Sequence, residues 1–202
     1  MSADPTLLSK LVDSALARGA TKAAVINVSS VVTDIRVGMK CQVPICKSYG
    51  NCLMCPPYVL SPADFAAVLT KYSDALLIQW AFAPDKEVLD SLKGITIADI
   101  DSNERYESAM KAAFRMMAEQ LNDLEGEAMR MGFRFATAFG GGPCCLCDEC
   151  VGGDGKCRHP FKARPGMEAV GIDVIATCEK GGLPIRYPAE GSAMLTGLLL
   201  VD

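Results

Sequence analysis

One glycine-rich stretch of the chain, GGPCCLCDECVGGDGKCRHP, carries four cysteines whose spacing is suited to metal chemistry. Cys144, Cys147, Cys150 and Cys157 follow the pattern C-x2-C-x2-C-x6-C. The first three match the C-x2-C-x2-C run of bacterial ferredoxins, in which a tight loop directs successive thiolates at one iron–sulfur cluster. Glycines let the backbone come close enough for its N–H groups to donate to the cluster sulfurs. The pattern therefore favours a [4Fe–4S] cluster as the cofactor, bound by these four residues.

Zinc is the alternative cofactor, because four cysteines in C-x2-C pairs also form tetrahedral zinc sites. Such sites usually combine two separated C-x2-C hairpins, whereas three cysteines share one continuous run here. The spacing therefore favours iron–sulfur over zinc, and either of them over a cluster of disulfides.

A second cysteine-rich segment, CQVPICKSYGNCLMCPPY, has the spacing C-x4-C-x5-C-x2-C, which matches no common cluster motif. Its prolines and Gly50 predict a rigid, turn-rich loop of the kind that preorganises ligands. Three interpretations stay open: a metal site of its own, ligands lent to the first site, or inert buried thiols. We predict one or two metal centres and include all four cysteines of this segment as candidate metal ligands: Cys41, Cys46, Cys52 and Cys55. Cys145 is expected to point away from the first site, and Cys178 to be a small buried hydrophobe.

Charged residues near the cysteines allow both functional and structural interpretations. His159 is the only histidine and lies two positions after Cys157. It is a candidate ligand or proton donor, although a hydrogen-bonded structural role is more typical. Arg164 precedes a predicted helix start, where anions bind. Arg164 and Glu168 are also four residues apart, so they are expected to pair across one helical turn.

Composition and charge narrow the class of protein. The chain has 202 residues, ten cysteines and a net charge of −4, and we expect one domain over residues 1–202. Its N-terminus lacks the pattern of a secretory signal, and no apolar run is long enough to span a membrane. We therefore expect a cytoplasmic protein whose cysteines serve metal or redox chemistry. No basic block suggests nucleic acid as a partner. The acidic net charge suits a redox partner protein with a basic docking face. Formation of a homo-oligomer is left open.

Helices must position the cysteine loops, and five are predicted. The first begins after Asp4 and ends at Gly19. The next begins at Ser61 and reaches about Lys71. The longest runs from about Ser102 to Gly132, with apolar residues every three or four positions. Two shorter helices are predicted at 165–170 and 173–180.

Strands are predicted by short apolar runs rich in β-branched residues. Their ranges are 23–28, 31–37, 75–82, 133–138, 183–187 and 194–201, whereas residues 84–100 are ambiguous between a short helix and a strand. The alternation of strands and helices predicts an α/β (or α+β) fold with a mixed sheet flanked by helices. Both cysteine loops follow or precede strands of that sheet, where functional loops usually lie.

The combination of CPP at Cys55–Pro57, CRHP at Cys157–Pro160 and ARPGMEAVGIDV at Ala163–Val174 resembles a known family. It is similar to the "predicted metal-binding protein" family (domain of unknown function 2284) over most of the chain. The resemblance implies metal binding through cysteines, with iron–sulfur ligation. Gly166 stands where the family tends to have serine, and the pattern does not clearly include Cys52 or Cys145. The cysteines that match the family pattern are Cys41, Cys46, Cys55, Cys144, Cys147, Cys150 and Cys157.

Three functions follow from these residues. The first is an iron–sulfur protein in electron transfer or another redox accessory role. The second is an iron–sulfur enzyme, in which the incomplete ligand set of the 41–58 segment leaves one iron open to a substrate. The third is a zinc-stabilised binding module without redox activity.

Overall fold

A four-stranded antiparallel sheet organises the computed structural model, which describes residues 3–43, 46–94, 103–185 and 193–202. Its strands are β1 (Lys22–Asn27), β2 (Asp74–Phe82), β3 (Thr137–Phe139) and β4 (Ala193–Val201). They lie side by side in the order β1-β2-β4-β3, so the two long apolar strands are central and β3 forms one edge. Both central strands are buried along most of their length, as expected for strands covered on both faces.

The predicted α/β class, with helices flanking the sheet, is confirmed. The prediction of a mixed sheet was wrong for the described strands. All three pairs of neighbouring strands are antiparallel. Parallel neighbours require a crossover, typically through one helix. Two helices and the cysteine-rich loop separate β1 from β2 along the chain, so the alternation of element types did not correspond to single-helix crossovers.

The described residues form six α-helices, whose bounds are α1 (Pro5–Ala17), α2 (Ile35–Cys41), α3 (Pro62–Leu69), α4 (Lys86–Ser91), α5 (Glu104–Met131) and α6 (Val174–Lys180). Short 3-10 turns lie at Val28–Ser30 and Glu168–Val170. One face of the sheet packs against α1 and α5, through residues such as Leu11 and Leu121. The opposite face packs against α3 and α6, through Phe65 and Cys178. The sheet is thus the middle of three layers.

Helix starts confirm the sequence signals residue by residue. The side chains of Asp4, Ser61, Asn103 and Asp173 each accept a hydrogen bond from a backbone N–H in the first turn of α1, α3, α5 and α6. At its C-terminus α5 ends on Gly132, whose φ of 109° is in the left-handed region that favours glycine.

Four strand or helix predictions differ from the structure. The strand at 31–37 is replaced by the start of α2, because the Asp34 side chain caps a helix that begins at Ile35. In the segment 133–138 only residues from Thr137 pair with β4, since the preceding ones turn away from the end of α5. The helix at 165–170 is reduced to the 3-10 turn, because residues 165–167 pair with the chain after β3. Residues 183–185 form no strand, and 186–187 lie outside the described part, as do residues 95–100 of the ambiguous segment 84–100.

None of the helices in the described residues has both the length and the apolar content needed to cross a membrane.

Candidate functional site

Five cysteines from two distant segments line one small enclosed cavity. Four of them come from the glycine-rich loop after β3 and the fifth comes from the earlier segment, and the cavity volume is about 20 Å3. A space of that size holds about one water molecule, so the thiols surround very little empty volume. The lining cysteines are Cys52, Cys144, Cys147, Cys150 and Cys157. The structure thus brings together all four residues of the first predicted group, and it adds Cys52 to them.

The long helix α5 holds the glycine-rich loop in place. The Arg115 guanidinium donates to the carbonyl of Cys145 (2.9 Å) and to the carboxylate of Asp148 (3.1 Å). One turn earlier, the Lys111 ammonium donates to the carbonyl of Asp148 (3.1 Å). Both side chains leave the same face of α5, because residues four apart on a helix are neighbours. The backbone between Cys144 and Cys150 is therefore fixed by side chains from a rigid element.

The second segment reaches the first through a close backbone contact. A Cβ atom at Gly153 would lie 2.1 Å from the hydroxyl oxygen of Tyr58, so only glycine allows the two loops to approach this closely. The same hydroxyl donates to the carbonyl of Gly50 (3.1 Å), which closes the 50–58 loop on itself. As a result, the Leu53 N–H donates to the sulfur of Cys150 at 3.5 Å.

Backbone donors already point at several sulfurs. Besides the Leu53 donor, the His159 N–H donates to the sulfur of Cys157 at 3.4 Å. A hydrogen bond between the thiols of Cys52 and Cys55 lowers the pKa of Cys52 and raises the pKa of Cys55. The N–H groups of Met54 and Cys144 also lower the pKa of Cys52. These N–H donors favour thiolates over thiols, which is the state that binds metal.

The pKa of Cys144 is shifted in the opposite direction to that of Cys52. Burial is the main cause that raises its pKa to about 11, and the neighbouring Cys52, Cys145 and Cys157 add to the effect. In the metal-free state this thiol therefore keeps its proton at neutral pH. A cation in the cavity would reverse that preference, since a coordinating thiol loses its proton.

Two cysteines of the second segment, Cys41 and Cys46, line a larger cavity. Cys41 is the last residue of α2, and it lines a cavity of about 770 Å3 together with Cys46 and Glu168. The pKa of Cys41 is raised by burial first and then by Cys46 and Glu168, so these three groups are close in space. Cys41 and Cys46 also contribute to the raised pKa of Cys55. The four cysteines predicted as one group thus have different surroundings. Cys41 and Cys46 line the larger cavity. Cys46 also lines a groove with Cys52 and cysteines of the glycine-rich loop, and Cys55 is hydrogen-bonded to Cys52.

Arg164 and Glu168 do not pair with each other, so that expectation was wrong. The guanidinium of Arg164 binds both carboxylate oxygens of Glu125 on α5, with 2.8 Å between its Nε and Oε2. Glu125 also accepts a hydrogen bond from the N–H of Ala138 in β3 (2.7 Å). No helical turn spans residues 164–168, so the spacing of four does not place the two side chains on one face. The sequence contained no local signal for the partner, which is 39 residues away.

Comparison with known proteins identifies the family. A family model described as "Predicted metal-binding protein (DUF2284)" matches residues 24–201. The chain belongs to this family. The match confirms the resemblance to this family that the CPP and CRHP elements indicated. The protein is therefore a predicted metal-binding protein. No curated protein and no solved structure matches the chain.

The donor set of this family member fits a thiophilic metal group. All ten cysteines are free of disulfides, and five of the thiols share one cavity wall. Cysteine thiolates select zinc, Cu(I) and iron–sulfur clusters, and N–H donors to the sulfurs tune such clusters. Residues able to hold the group are Cys144, Cys147, Cys150 and Cys157, with Cys52 as a fifth thiol.

Within the described ranges, no group of three or more His, Cys, Asp or Glu side chains is arranged to hold a single metal ion. A zinc site requires its four ligands to meet around one point. Ligands of an iron–sulfur cluster bind different irons of one core and surround it instead. Five cysteines line one cavity together, and cysteine thiolates are ligands for both kinds of group.

The remaining candidate residues have definite positions. The side chain of His159 lines the five-thiol cavity, so its role as ligand or proton donor stays a prediction. The Cys145 thiol donates to the carbonyl of Pro143 (3.4 Å), and the residue is not among those lining that cavity. Cys178 is 0% exposed in the core on the α6 side, as predicted.

Proposed function

We propose that this protein carries a [4Fe–4S] cluster on Cys144, Cys147, Cys150 and Cys157 and uses it to transfer single electrons. The observation that supports the proposal most directly is the enclosure of these four thiols, with Cys52, around one cavity. A ferredoxin-type run of three cysteines in the same loop supports iron over zinc. When bound, the cluster supplies a one-electron redox couple.

The protein's own residues would hold and tune the group. The N–H groups of Leu53 and His159 donate to the sulfurs of Cys150 and Cys157. Such donors stabilise thiolate charge and raise the reduction potential of a cluster. Apolar side chains, among them Leu53, Leu146 and Val151, line the cavity together with Arg158 and His159.

Electron exchange requires access for a partner. Cys150 is exposed, and its neighbours Asp148 and Glu149 are exposed as well. This part of the loop therefore lies at the surface, with two carboxylates beside the proposed ligand. We propose a redox protein with a basic docking face as the partner, in the reducing environment of the cytoplasm, where ten free thiols persist. Whether the protein forms a homo-oligomer stays a prediction of the sequence.

Purification without oxygen tests the proposal. Iron, zinc and inorganic sulfide are quantified per chain, and visible absorbance is recorded before and after reduction. We expect about four irons and four sulfides per [4Fe–4S] core, with broad absorbance that bleaches on reduction. Cys147→Ser should lose that iron, whereas Cys145→Ser, which changes the adjacent thiol outside the cavity, should keep it.

Three results would contradict the proposal. Colourless protein that contains stoichiometric zinc and unfolds on chelation would identify a structural zinc module. Folded protein without any stoichiometric metal would exclude both metals. Loss of iron in Cys145→Ser, with iron retained in Cys147→Ser, would show that the ligand assignment is wrong.

A further inference from the structure

The larger cavity, of about 770 Å3, has room for a small organic molecule. Residues of α2, α5, α6 and β4 line it, and apolar side chains form much of its wall, among them Ile172, Ile185 and Leu195. Ligand pockets in proteins typically measure about 300–1,000 Å3 and combine apolar walls with a few well-placed polar groups. The cavity has this size and this kind of wall.

Two buried oxygen atoms of the lining residues have no hydrogen-bond partner. Within the described part of the chain, three buried side-chain oxygens lack a partner, and two of them are Oε2 of Glu168 and Oγ1 of Thr196. Both residues line the larger cavity. Folded proteins rarely leave buried polar atoms unpaired, because such atoms have lost their hydrogen bonds to water. The two oxygens are therefore available to a bound molecule.

Packed elements hold both of these groups in position. Glu168 begins a 3-10 turn, and Thr196 lies in the central strand β4, where it is 4% exposed. Burial raises the pKa of Glu168, and the N–H groups of Glu168 itself and of Gly142 lower it, so the carboxyl group lies beside backbone donors. Burial also raises the pKa of Cys178, and the nearby Thr196 hydroxyl lowers it. A thiol is only a weak hydrogen-bond partner, so this contact leaves the hydroxyl free for a stronger one.

The charges around the cavity favour a cation. Among the described residues of its wall, Glu168, Asp173 and Glu179 carry carboxylates, whereas Lys40 carries the one ammonium group. Lys40 is exposed, so water and salt screen its charge. Phe114 adds an aromatic ring to the same wall, and the faces of such rings attract cations.

We infer that this cavity binds a small organic cation, a primary ammonium compound with an apolar body, through the Glu168 carboxylate and the Thr196 hydroxyl. An ammonium group has three N–H donors, which is enough to pair with both unpaired oxygens. Its hydrogen bond to a carboxylate is charge-assisted and therefore strong. The apolar body lies against the aliphatic wall. This site involves no metal ligation and does not depend on the electron-transfer role proposed above.

The inferred site is adjacent to the cysteine-rich loops. Cys46 and Phe114 line both this cavity and the groove beside Cys144. The Phe114 ring packs on the backbone of Gly142, where a Cβ atom would lie 2.9 Å from the ring. A molecule held by Glu168 is therefore a neighbour of the candidate metal site. This position suits the substrate of an iron–sulfur enzyme, the second of the functions inferred from the sequence.

Binding of simple amines to the unchanged protein, purified without oxygen, is the first test. Hexylammonium, methylammonium, 1-hexanol and hexanoate are titrated at pH 7 and constant ionic strength by isothermal titration calorimetry. We expect hexylammonium to bind most tightly, with up to about a fourfold loss of affinity for each methylene removed. 1-Hexanol and hexanoate should bind at least about tenfold more weakly, because neither provides a cation for the carboxylate. Equal binding of hexylammonium and 1-hexanol, or no binding of any amine, would overturn the inference.

Three variants then locate the site. Glu168→Gln removes the charge, Thr196→Val removes the hydroxyl, and both nearly keep the shape of the side chain. Glu179→Gln is the matched control, because Glu179 lines the same cavity but is exposed. We expect the affinity for hexylammonium to fall about 10- to 100-fold in Glu168→Gln and about 2- to 10-fold in Thr196→Val, and to stay within about twofold in Glu179→Gln. Unchanged affinity in folded Glu168→Gln or Thr196→Val, with folding checked by circular dichroism, would overturn the role of that group.

Iron and sulfide are quantified in the same samples, so that failure of this inference and failure of the first proposal are distinguishable. We expect Glu168→Gln to lose amine binding and to retain its iron. Protein that contains the cluster but binds no amine would refute this inference and leave the electron-transfer proposal standing. Folded protein that binds hexylammonium without any stoichiometric metal would have the opposite meaning.

Discussion

Replacement of Arg164 by alanine tests how the cysteine loop is attached to the rest of the protein. The Glu125 side chain is 5% exposed and the Arg164 side chain is 24% exposed, so this ion pair is largely withdrawn from water. Without the guanidinium, the Glu125 carboxylate would keep only the Ala138 N–H as a partner. Breaking a buried pair on one side costs about 3–5 kcal/mol, because an uncompensated charge stays in the interior.

The partial exposure of Arg164 places the expected loss near the lower end, at about 3 kcal/mol. For a chain of this size each kcal/mol lowers the melting temperature by about 2–4 °C, so the expected drop is about 6–12 °C.

Urea denaturation under argon, followed by circular dichroism and by the fluorescence of Trp80, measures the effect. Trp80 is the only tryptophan and is 2% exposed, so its emission reports the core. Arg105→Ala is the matched control, because Arg105 pairs with Glu87 at the surface and such pairs contribute about 0–1 kcal/mol. A loss below about 1 kcal/mol in Arg164→Ala, or an equal loss in Arg105→Ala, would refute the reasoning.

Three shorter predictions concern the loops and cavities. Gly166→Ala should destabilise the protein by about 1–3 kcal/mol in urea denaturation, because the new Cβ would lie 2.5 Å from the carbonyl oxygen of Gly142. The control is Gly126→Ala on the exposed side of α5, which meets no such contact and should be neutral or stabilising. Cys52→Ser should keep its iron but shift the reduction potential measured by redox titration, whereas Cys157→Ser should lose iron; the opposite result would exchange their roles. In metal-free protein, burial raises the pKa of Glu168 from 4.5, so stability should decline as pH rises above about 4.5, and Glu168→Gln should remove that decline.

Local sequence signals were sufficient for most of the fold. Asp4 and Ser61 predicted helix starts because a short polar side chain satisfies N–H groups that have no partner within the helix. The central strands were found because a continuous apolar run has few alternatives in a folded chain. The segment 31–37 was misread because β-branched residues also occur in exposed loops and helices, and Ile35 is such a case.

The candidate site was only partly predictable for a physical reason. The spacing in the glycine-rich loop identified Cys144, Cys147, Cys150 and Cys157, because ligands within one loop are local in sequence. The position of Cys52 depends on the contact between Tyr58 and Gly153, which is non-local and has no sequence signature. The pairing of Arg164 with Glu125 was missed for the same reason, since any of several carboxylates had a suitable charge.

The same ion pair connects the sheet to the metal-binding loop. β3 is a three-residue edge strand, and an edge strand leaves N–H groups without partners on its outer side. The Glu125 carboxylate accepts one of these, the N–H of Ala138, while Arg164 holds the carboxylate in place. The residues that follow Arg164 then pair with the backbone after β3, through the Gly140 N–H to Pro165 and the Met167 N–H to Gly140. One carboxylate on α5 therefore closes the sheet edge and fixes both ends of the loop that carries the cysteines, so the position of the thiols depends on a residue that binds no metal itself.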